Sequence, residues 1–254
     1  MTRLEIGIPA YRNLRAALDK VTNLREGGFI GLIHVSINDP SLEDINLSHE
    51  YAEPDVKISL QKGNLGLYGN FRFLALNAQA PYFMWLALDD DPAWGVISEV
   101  ESNRHDATLI YSRHFLKVSP KKGSAEIMYG PFDPLGARNI FNFDPSAIFG
   151  AWSTKWLQSE FPRGDFDWLD SYLLTSAYLD GKIKLTTGQR AIGAEMGKKP
   201  HNVIGSHHRF WGWFTHISSL IWRCKRWNLI PSFLISSLGR MRMIVTQIFQ
   251  ARLD

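Results

Sequence analysis

Three consecutive aspartates, Asp89–Asp91, come directly after the apolar run Tyr82–Leu88 and before Pro92. Adjacent carboxylates repel one another, and either a shared cation or full exposure to water relieves that repulsion. Mg²⁺ and Mn²⁺ prefer carboxylate oxygens, and Mg²⁺ usually binds one or two carboxylates together with the phosphates of a substrate. The aspartates therefore indicate either a metal–phosphate site or a solvated acidic turn that begins the next helix.

Three further polar segments also follow predicted strands. The segments are Ile8–Asn13, Ile37–Asp39 and Gln61–Asn70, and the strands before them are Leu4–Ile8, Ile30–Ile37 and Val56–Leu60. In open α/β sheets, ligands bind outside the carboxyl ends of the strands. We therefore expect all four segments to converge on one edge of a sheet.

Short apolar strands alternate with helical patterns through the first half of the chain. Tyr11–Leu24 has apolar residues at helical spacing and Gly69–Gln79 is also predicted to be a helix, which gives the order β-α-β-β-α-β. This alternation predicts an α/β fold with a mostly parallel central sheet flanked by helices. Further along we expect strands Ala107–Ser112, Phe115–Val118 and Ile183–Thr187, helices Ser153–Glu160 and Trp168–Asp180, and a loop over Gly130–Pro145.

The composition is that of a globular protein with a sizeable core. The chain has 254 residues, of which 45% are hydrophobic and 21% are charged. With Cys224 as its one cysteine, the chain can form no internal disulfide. The first residues lack the apolar region of a signal peptide, so we expect a cytoplasmic location.

The last segment, residues 201–254, differs from the rest of the chain in charge and aromatic content. It holds seven Lys or Arg residues, one acidic residue and four of the nine tryptophans. Its apolar stretches are shorter than the roughly 18–20 residues that span a bilayer. We expect a helical tail that contacts a membrane surface peripherally, or alternatively one that packs on the domain or on a second subunit.

Four segments resemble the nucleotide-binding half of inverting family 2 glycosyltransferases with the GT-A fold. They are "IGIPAYRN", "VSIND", "QKGNLGLYGNFRF" and "YFMWLALDDDPAW". Later segments, "IFGAWSTKWL" and "DWLDSYLLTSAYLDGKI", resemble the family's acceptor side, so the resemblance extends from Leu4 to Thr187. It implies a catalytic domain over 1–200, with a nucleotide-binding half 1–95 and an acceptor-side half 96–200, followed by the extension 201–254.

The resemblance also implies which residues bind the nucleotide-diphosphate sugar, for which UDP is the expected nucleotide. Those near the base and ribose would be Pro9, Tyr11, Asp39, Gln61, Lys62, Gly63, Asn64 and Asn70. The aspartates match the DXD motif of the family: Asp89 and Asp90 would lie at the donor, while Asp91 and Asp89 would hold Mg²⁺ or Mn²⁺. Asn38 and Pro40 depart from the family pattern, in which an acidic residue stands in place of Asn38.

The catalytic base of the family is an aspartate at the start of a late helix, where this chain has Asp165, Asp167 and Asp170. The spacing to Gly181 favours Asp170, and Asp167 fits the alternative register. The implied activity is that of a metal-dependent hexosyltransferase that acts on a saccharide or lipid-linked acceptor in surface polysaccharide or glycolipid assembly. A non-catalytic nucleotide-sugar-binding module is the alternative, and the basic tail does not resemble a nucleic-acid-binding element.

Overall fold

A computed structural model describes residues 2–103, 106–119, 124–129, 150–161, 169–180 and 182–192, together with single positions between 211 and 241. The chain divides into two compact units. The first comprises Met1–Met128, Ile148–Phe161 and Lys182–Ala194. The second comprises Tyr129–Ala147, Pro162–Gly181 and Glu195–Asp254.

The first half of the chain alternates strictly between strands and helices. Its strands are β1 (Leu4–Tyr11), β2 (Leu32–Asn38), β3 (Val56–Leu60) and β4 (Tyr82–Trp85). Its helices are α1 (Leu14–Glu26), α2 (Leu42–Glu50), α3 (Gly66–Leu76) and α4 (Trp94–Ser102). Each strand is thus followed by a helix, as in a repeated βα unit.

The later elements extend the same sheet and add two helices. The strands are β5 (Leu109–Ser119), β6 (Ser124–Tyr129), β7 (Ala151–Ser153) and β8 (Ile183–Ile192). The helices are α5 (Thr154–Glu160) and α6 (Leu169–Asp180). Over the residues that the structure describes, the strand order is β3-β2-β1-β4-β7-β5-β6, and β8 pairs with β5.

Among the described residues, most of the strand pairs are parallel. β1 runs parallel to β2 and β4, β2 runs parallel to β3, and β5 runs parallel to β8. β7 is antiparallel to both of its neighbours, β4 and β5. The prediction of an α/β fold with a mostly parallel central sheet flanked by helices is confirmed.

The two faces of the central sheet differ in polarity. Successive strand residues point to opposite faces, and the even-numbered residues of β1 form one apolar core with the odd-numbered residues of β2 and with α1 and α4. The other face lies under α3, since Leu74 lies near Gly7. This face buries polar residues of β1 and β2, namely Glu5, His34, Ser36 and Asn38.

The structure corrects several predicted elements. Helix α2 was not expected between β2 and β3, although a capping box of Ser41 and Asp44 begins it. The two strands predicted between Ala107 and Val118 are one strand, β5, with an irregularity between Ser112 and His114. Strands β6 and β7 were also not expected, and the loop predicted over Gly130–Pro145 lies outside the described residues.

In the tail, the described positions between 211 and 241 are helical except for a turn at Lys225. Ile217, Ile221 and Phe233 are buried, and the rings of Phe214 and Phe233 lie 5.0 Å apart. Several large apolar side chains are exposed: Trp211, Trp222, Ile230, Leu234, Ile235, Leu238 and Met241. Among the residues that the structure describes, no helix is long and apolar enough to cross a membrane.

Candidate functional site

The four polar segments expected at one edge follow four neighbouring parallel strands of the first unit. The register pairs Tyr11 with Asn38 and Ile37 with Leu60, so β1, β2 and β3 end side by side. β4 ends opposite Gly7, and the N–H of Leu86 continues the ladder by donating to the Gly7 carbonyl at 2.9 Å. Since the strands are parallel, all four segments lie at the carboxyl edge, as predicted.

A cluster of Tyr11, Arg12 and Asp39, here called the edge cluster, joins the ends of β1 and β2. The Tyr11 hydroxyl donates to Asp39 Oδ2 at 3.1 Å, and Arg12 Nη2 lies 2.6 Å from the same oxygen. Arg12 Nε also donates to the Asp39 carbonyl at 3.2 Å, and its guanidinium lies 5.4 Å from the Tyr11 ring centroid. The carboxylate of Asp39 is therefore held in one orientation beside an exposed aromatic ring.

The backbone of the edge cluster is unusual for residues other than glycine. Arg12 has φ 48° and Asp39 has φ 53°, so both lie in the left-handed region. This conformation costs roughly 1–2 kcal/mol per residue. The N–H of Arg12 donates to the Asn38 carbonyl at 3.3 Å, which holds the two strand ends together in this conformation. Strained residues of this kind concentrate at ligand sites.

The loop of residues 61–66 runs from the end of β3 to the first residue of α3, and its start is attached to β2. The N–H of Gln61 donates to the Ile37 carbonyl at 2.9 Å, and Gln61 Nε2 donates to Ser36 Oγ at 2.8 Å. Ser36 in turn donates to Asn70 Oδ1 at 2.6 Å. Asn70 Nδ2 donates to the carbonyls of Ala10 and Ser36, so this carboxamide joins α3 to β1 and β2.

The same loop exposes its tip at the carboxyl edge. Lys62, Gly63 and Asn64 are exposed, whereas Asn70 is only 3% exposed. A Cβ atom added at Gly63 would meet nothing within 4 Å, so the backbone there is open to close approach by a ligand. Pro9 is half-buried on β1 and pairs with Ser36 of β2. Of these five expected donor residues, three are exposed, Pro9 is half-buried and Asn70 is buried.

The three aspartates after β4 have different environments. Asp89 and Asp91 are exposed, whereas Asp90 is 1% exposed and its carbonyl accepts a hydrogen bond from Lys20 Nζ at 2.8 Å. The outer two carboxylates are therefore available to solvent, and the central residue secures the turn to α1. The described residues contain no cluster of three or more potential metal ligands. Two carboxylates suffice for Mg²⁺ when substrate phosphates supply further ligands.

Asp44 supports this edge and was missed as a candidate. It is 4% exposed, and its Oδ1 accepts from the N–H of Leu14 at 2.7 Å while Oδ2 accepts from the N–H and hydroxyl of Ser41 at 2.8 and 2.7 Å. Burial opposes its ionisation, but these hydrogen bonds outweigh burial and lower the pKa of Asp44. One carboxylate thus caps the first turns of both α1 and α2. The spacing of Ser41 and Asp44 is the sequence signal that could have identified it.

The polar face also contains a buried pair, Glu5 and His34. Glu5 Oε2 accepts from the N–H groups of Gln79 and Ala80, and Glu5 Oε1 lies 3.8 Å from His34 Nδ1. Nε2 of His34 lies 2.8 Å from Ser59 Oγ. Burial, together with the charge of Lys57, lowers the pKa of His34 to about 4, and burial raises the pKa of Glu5. Both side chains are buried on the sheet face under α3, where they hydrogen-bond to neighbouring elements of the fold.

The candidate bases belong to the second unit. Asp170 is the second residue of α6, which begins at Leu169. Asp167 and Asp165 lie outside the described residues. The roles of these aspartates remain predictions.

No protein-family model and no curated protein matches the sequence. Solved structures of low sequence identity do match the fold. S. aureus TarS 1-349 in complex with UDP has a TM-score of 0.61 and 15% identity, over 86% of this chain and 65% of that chain. S. aureus TarS has a TM-score of 0.55 and 15% identity, over 75% of this chain and 37% of that chain.

The mannosyltransferase PcManGT from Pyrobaculum calidifontis, in complex with GDP-Man and Mn²⁺, is a second type of neighbour. Its TM-score is 0.57 at 12% identity, and the match covers 100% of this chain and 76% of that chain. The chain spans less than two thirds of the TarS structures that it matches. At these identities the likeness concerns the fold, and the fold of this chain is that of GT-A-like glycosyltransferases.

Proposed function

We propose that this chain is a metal-dependent inverting glycosyltransferase, which moves a sugar from a nucleotide-diphosphate sugar onto a hydroxyl group of an acceptor. The observation that carries the proposal is the meeting of the edge cluster, the loop 61–66 and the Asp89–Asp91 turn at one carboxyl edge. Ligands of open α/β sheets bind at this edge. The neighbours in complex with UDP and with GDP-Man support a nucleotide-sugar donor.

The edge cluster supplies a recognition element for the nucleotide base. Tyr11 is 53% exposed, which leaves part of its ring available to stack on a planar base. The contacts that the Asp39 side chain makes with Tyr11 and Arg12 both involve Oδ2. Its Oδ1 is therefore the atom that we assign to an N–H group of the base, as uracil and guanine both offer. UDP is the first nucleotide to test and GDP the second.

The exposed pair Asp89 and Asp91 fits a divalent cation. Carboxylate oxygens at alternate positions of a turn, with the diphosphate supplying further oxygens, are the chemistry that Mg²⁺ and Mn²⁺ prefer. The bound ion would stabilise the negative charge on the leaving diphosphate. PcManGT in complex with Mn²⁺ supports this assignment.

The reaction requires a base for the acceptor hydroxyl. The hydroxyl oxygen forms a bond to the anomeric carbon, the bond from that carbon to the diphosphate oxygen breaks, and the hydroxyl proton passes to a carboxylate. Attack opposite to the leaving group inverts the anomeric centre. We assign the carboxylate to Asp170, and Asp167 is the alternative.

We assign the catalytic domain to 1–200, with the donor half at 1–95 and the acceptor half at 96–200. The extension 201–254 would contact a membrane surface, because exposed apolar side chains such as Ile235 and Leu238 combine with seven basic residues in this segment. Such a contact favours a lipid-linked acceptor, as used in surface polysaccharide or glycolipid assembly.

The proposal is tested by measuring transfer and hydrolysis of UDP-, GDP- and dTDP-sugars with Mn²⁺. We expect one donor to be consumed, and we expect Asp170→Asn to lower kcat by roughly 10²-fold or more at unchanged donor affinity. Loss of activity in Asp167→Asn instead would move the base to the alternative register. Tight nucleotide binding without turnover of any donor would favour the non-catalytic binding module.

A further inference from the structure

Asn38 lies at the junction between the edge cluster and the loop 61–66. It is the last residue of β2 and is 4% exposed. Its carbonyl accepts from the N–H of Arg12 on one side, and its side chain reaches the loop on the other. One residue therefore contacts both parts of the candidate donor site.

The orientation of the Asn38 carboxamide is fixed by backbone groups. Oδ1 accepts from the N–H of Leu65 at 2.7 Å, and Nδ2 donates to the carbonyl of Gly66 at 3.3 Å. A backbone N–H can only donate and a backbone carbonyl can only accept, so these contacts distinguish oxygen from nitrogen without ambiguity. The residue must offer both an acceptor and a donor at this position.

A second carboxamide extends this arrangement into the loop. Asn38 Nδ2 donates to Asn64 Oδ1 at 2.9 Å, and the same oxygen accepts from the N–H of Gly66 at 2.8 Å. Gly66 has φ +71°, so the chain turns sharply where the loop enters α3. The side chains of residues 38 and 64 thus satisfy the backbone groups of this turn.

A carboxylate could not replace the carboxamide. An aspartate would still accept from the N–H of Leu65, but it would bring negative oxygen against Asn64 Oδ1 and the Gly66 carbonyl, which are both acceptors. Two hydrogen bonds would be lost and replaced by repulsion. The contacts of this turn therefore require a carboxamide rather than a carboxylate at position 38.

We propose that Asn38 is a positioning residue for the nucleotide donor: its carboxamide fixes the loop 61–66 against the edge cluster in the arrangement that the donor requires. The inference rests on the proposed function, because it assigns the loop to the donor. With Gln61 tied to Ser36 at one end and Leu65 and Gly66 tied to Asn38 at the other, the exposed tip at Lys62 and Gly63 is held from both sides.

The loop itself provides a measurement that needs no ligand. Trypsin cleaves after lysine, and cleavage within a folded protein requires local opening of the chain. Mass spectrometry of samples taken early in the digestion measures the rate of cleavage after Lys62. We expect Asn38→Asp to accelerate this cut roughly tenfold or more, in line with the loss of two hydrogen bonds. Asn77→Asp is the matched control, because Asn77 is exposed at the far end of α3 and its side chain donates to the Phe73 carbonyl, away from the loop.

The donor role is tested by calorimetric titration of UDP and GDP with Mn²⁺ and by steady-state kinetics. We expect Asn38→Asp to weaken nucleotide binding and to raise the donor KM roughly tenfold, with a smaller change in kcat at saturating donor. Asn77→Asp should match the wild type in both. Circular dichroism checks folding, and Asn38→Ser, which keeps a small polar side chain but cannot span the three contacts, provides a second variant with the same expected direction.

Three results would overturn the inference. Wild-type rates of cleavage after Lys62 in both Asn38 variants would mean that the carboxamide does not hold the loop. Faster cleavage with unchanged nucleotide affinity and donor KM would mean that the loop does not position the donor. Absence of UDP and GDP binding by the wild type would overturn the proposed function and the donor role with it, and only this outcome affects both.

Discussion

At the scale of single residues, the surroundings of each carboxylate determine its role. Asp44 is buried, and both of its carboxylate oxygens accept hydrogen bonds from backbone N–H groups. The Asp39 side chain is held by Tyr11 and Arg12, whereas Asp89 and Asp91 are exposed to solvent. The sequence presents all four as acidic residues near strand ends. Only the hydrogen-bond partners separate the carboxylate that supports the scaffold from those that remain available to a ligand.

Asp44→Asn should destabilise the protein by roughly 1–3 kcal/mol at pH 7, because an amide cannot accept hydrogen bonds on both of its polar atoms. Urea unfolding measures the free energy of unfolding, and Asp19→Asn, at an exposed position of α1, is the matched control. The lowered pKa of Asp44 means that the stabilisation is present above pH 4 and is lost as pH falls through the folded-state pKa. Equal stability of the two variants at pH 7 would contradict the double capping role.

His34 gives a second pH-dependent prediction. Its pKa is lowered to about 4 in the fold, so the unfolded state binds more protons than the folded state between pH 4 and about 6.5. Its contribution to stability is therefore complete above about pH 6.5 and decreases as pH falls towards 4, by up to roughly 3 kcal/mol. The pKa of Glu5, which burial raises, acts in the opposite direction.

Urea unfolding at pH 7.5, 6 and 5 tests this prediction with His34→Gln. We expect a shallower loss of stability towards acid in the variant than in the wild type, whereas His49→Gln, at an exposed position of α2, should follow the wild type. Parallel pH profiles for the wild type and His34→Gln would show that protonation of His34 does not control acid stability.

At the scale of elements, apolar periodicity predicted the elements that bury a clear face. The predicted bounds of β3 agree with the structure, and β1, α1 and β2 were placed within a few residues. Helix α2 was missed because its buried surface is small: Leu42 is exposed, and Asp44 is the buried residue within its bounds. Its signal lay in capping chemistry, which periodicity does not detect.

Strand pairing limits prediction in the second half of the sheet. β7 has only three residues, and it pairs with strands that are distant in sequence. Three residues are too few to show the alternation of apolar and polar residues that predicts a strand. The polar residues Arg113 and His114 divided the predicted strand, whereas the β5–β8 pairing continues across an irregularity at this point. Partner strands decide such cases, and a single sequence does not identify the partners.

The turn from the loop into α3 supports an element-scale prediction. Gly66 has φ +71°, which an L residue adopts only at a cost, while Gly63 has open space around its missing Cβ and no positive φ. Gly66→Ala should therefore lower the free energy of unfolding by roughly 1–2 kcal/mol, and Gly63→Ala should change it little. Thermal and urea unfolding compare the pair. Equal losses in both variants would argue against a conformational requirement at Gly66.

At the scale of the whole molecule, the order of the four strand-end segments predicted the fold and the edge at which a site would form. The hydrogen bonds of the edge cluster and of Asn38 could not be predicted, because they join residues far apart in the chain through left-handed backbone. For the tail, the sequence predicts the positive charge, but only the structure identifies which of its apolar side chains are exposed.

The tail should bind anionic liposomes in a salt-sensitive manner. Each basic residue near an anionic surface contributes about 1 kcal/mol, and exposed apolar side chains add interfacial burial. We expect Ile235→Ser combined with Leu238→Ser to reduce pelleting with anionic liposomes, whereas Ile30→Ser combined with Leu42→Ser, at exposed positions outside the tail, should not. Packing of the tail on a second subunit would be favoured by either of two results. One is equal pelleting with anionic and neutral liposomes, and the other is an oligomer that dissociates in the tail variant.

A metal ion shared by Asp91 and the donor diphosphate is tested most directly by the melting temperature with UDP and GDP, measured with Mn²⁺ and with EDTA. A nucleotide at about 100 times its Kd should raise Tm by roughly 5 °C or more only when the metal is present. Asp91→Asn should abolish this shift as EDTA does, while Asp55→Asn, with an exposed side chain after α2, should keep it. An equal shift in EDTA and in Asp91→Asn would contradict a metal shared between this carboxylate and the diphosphate.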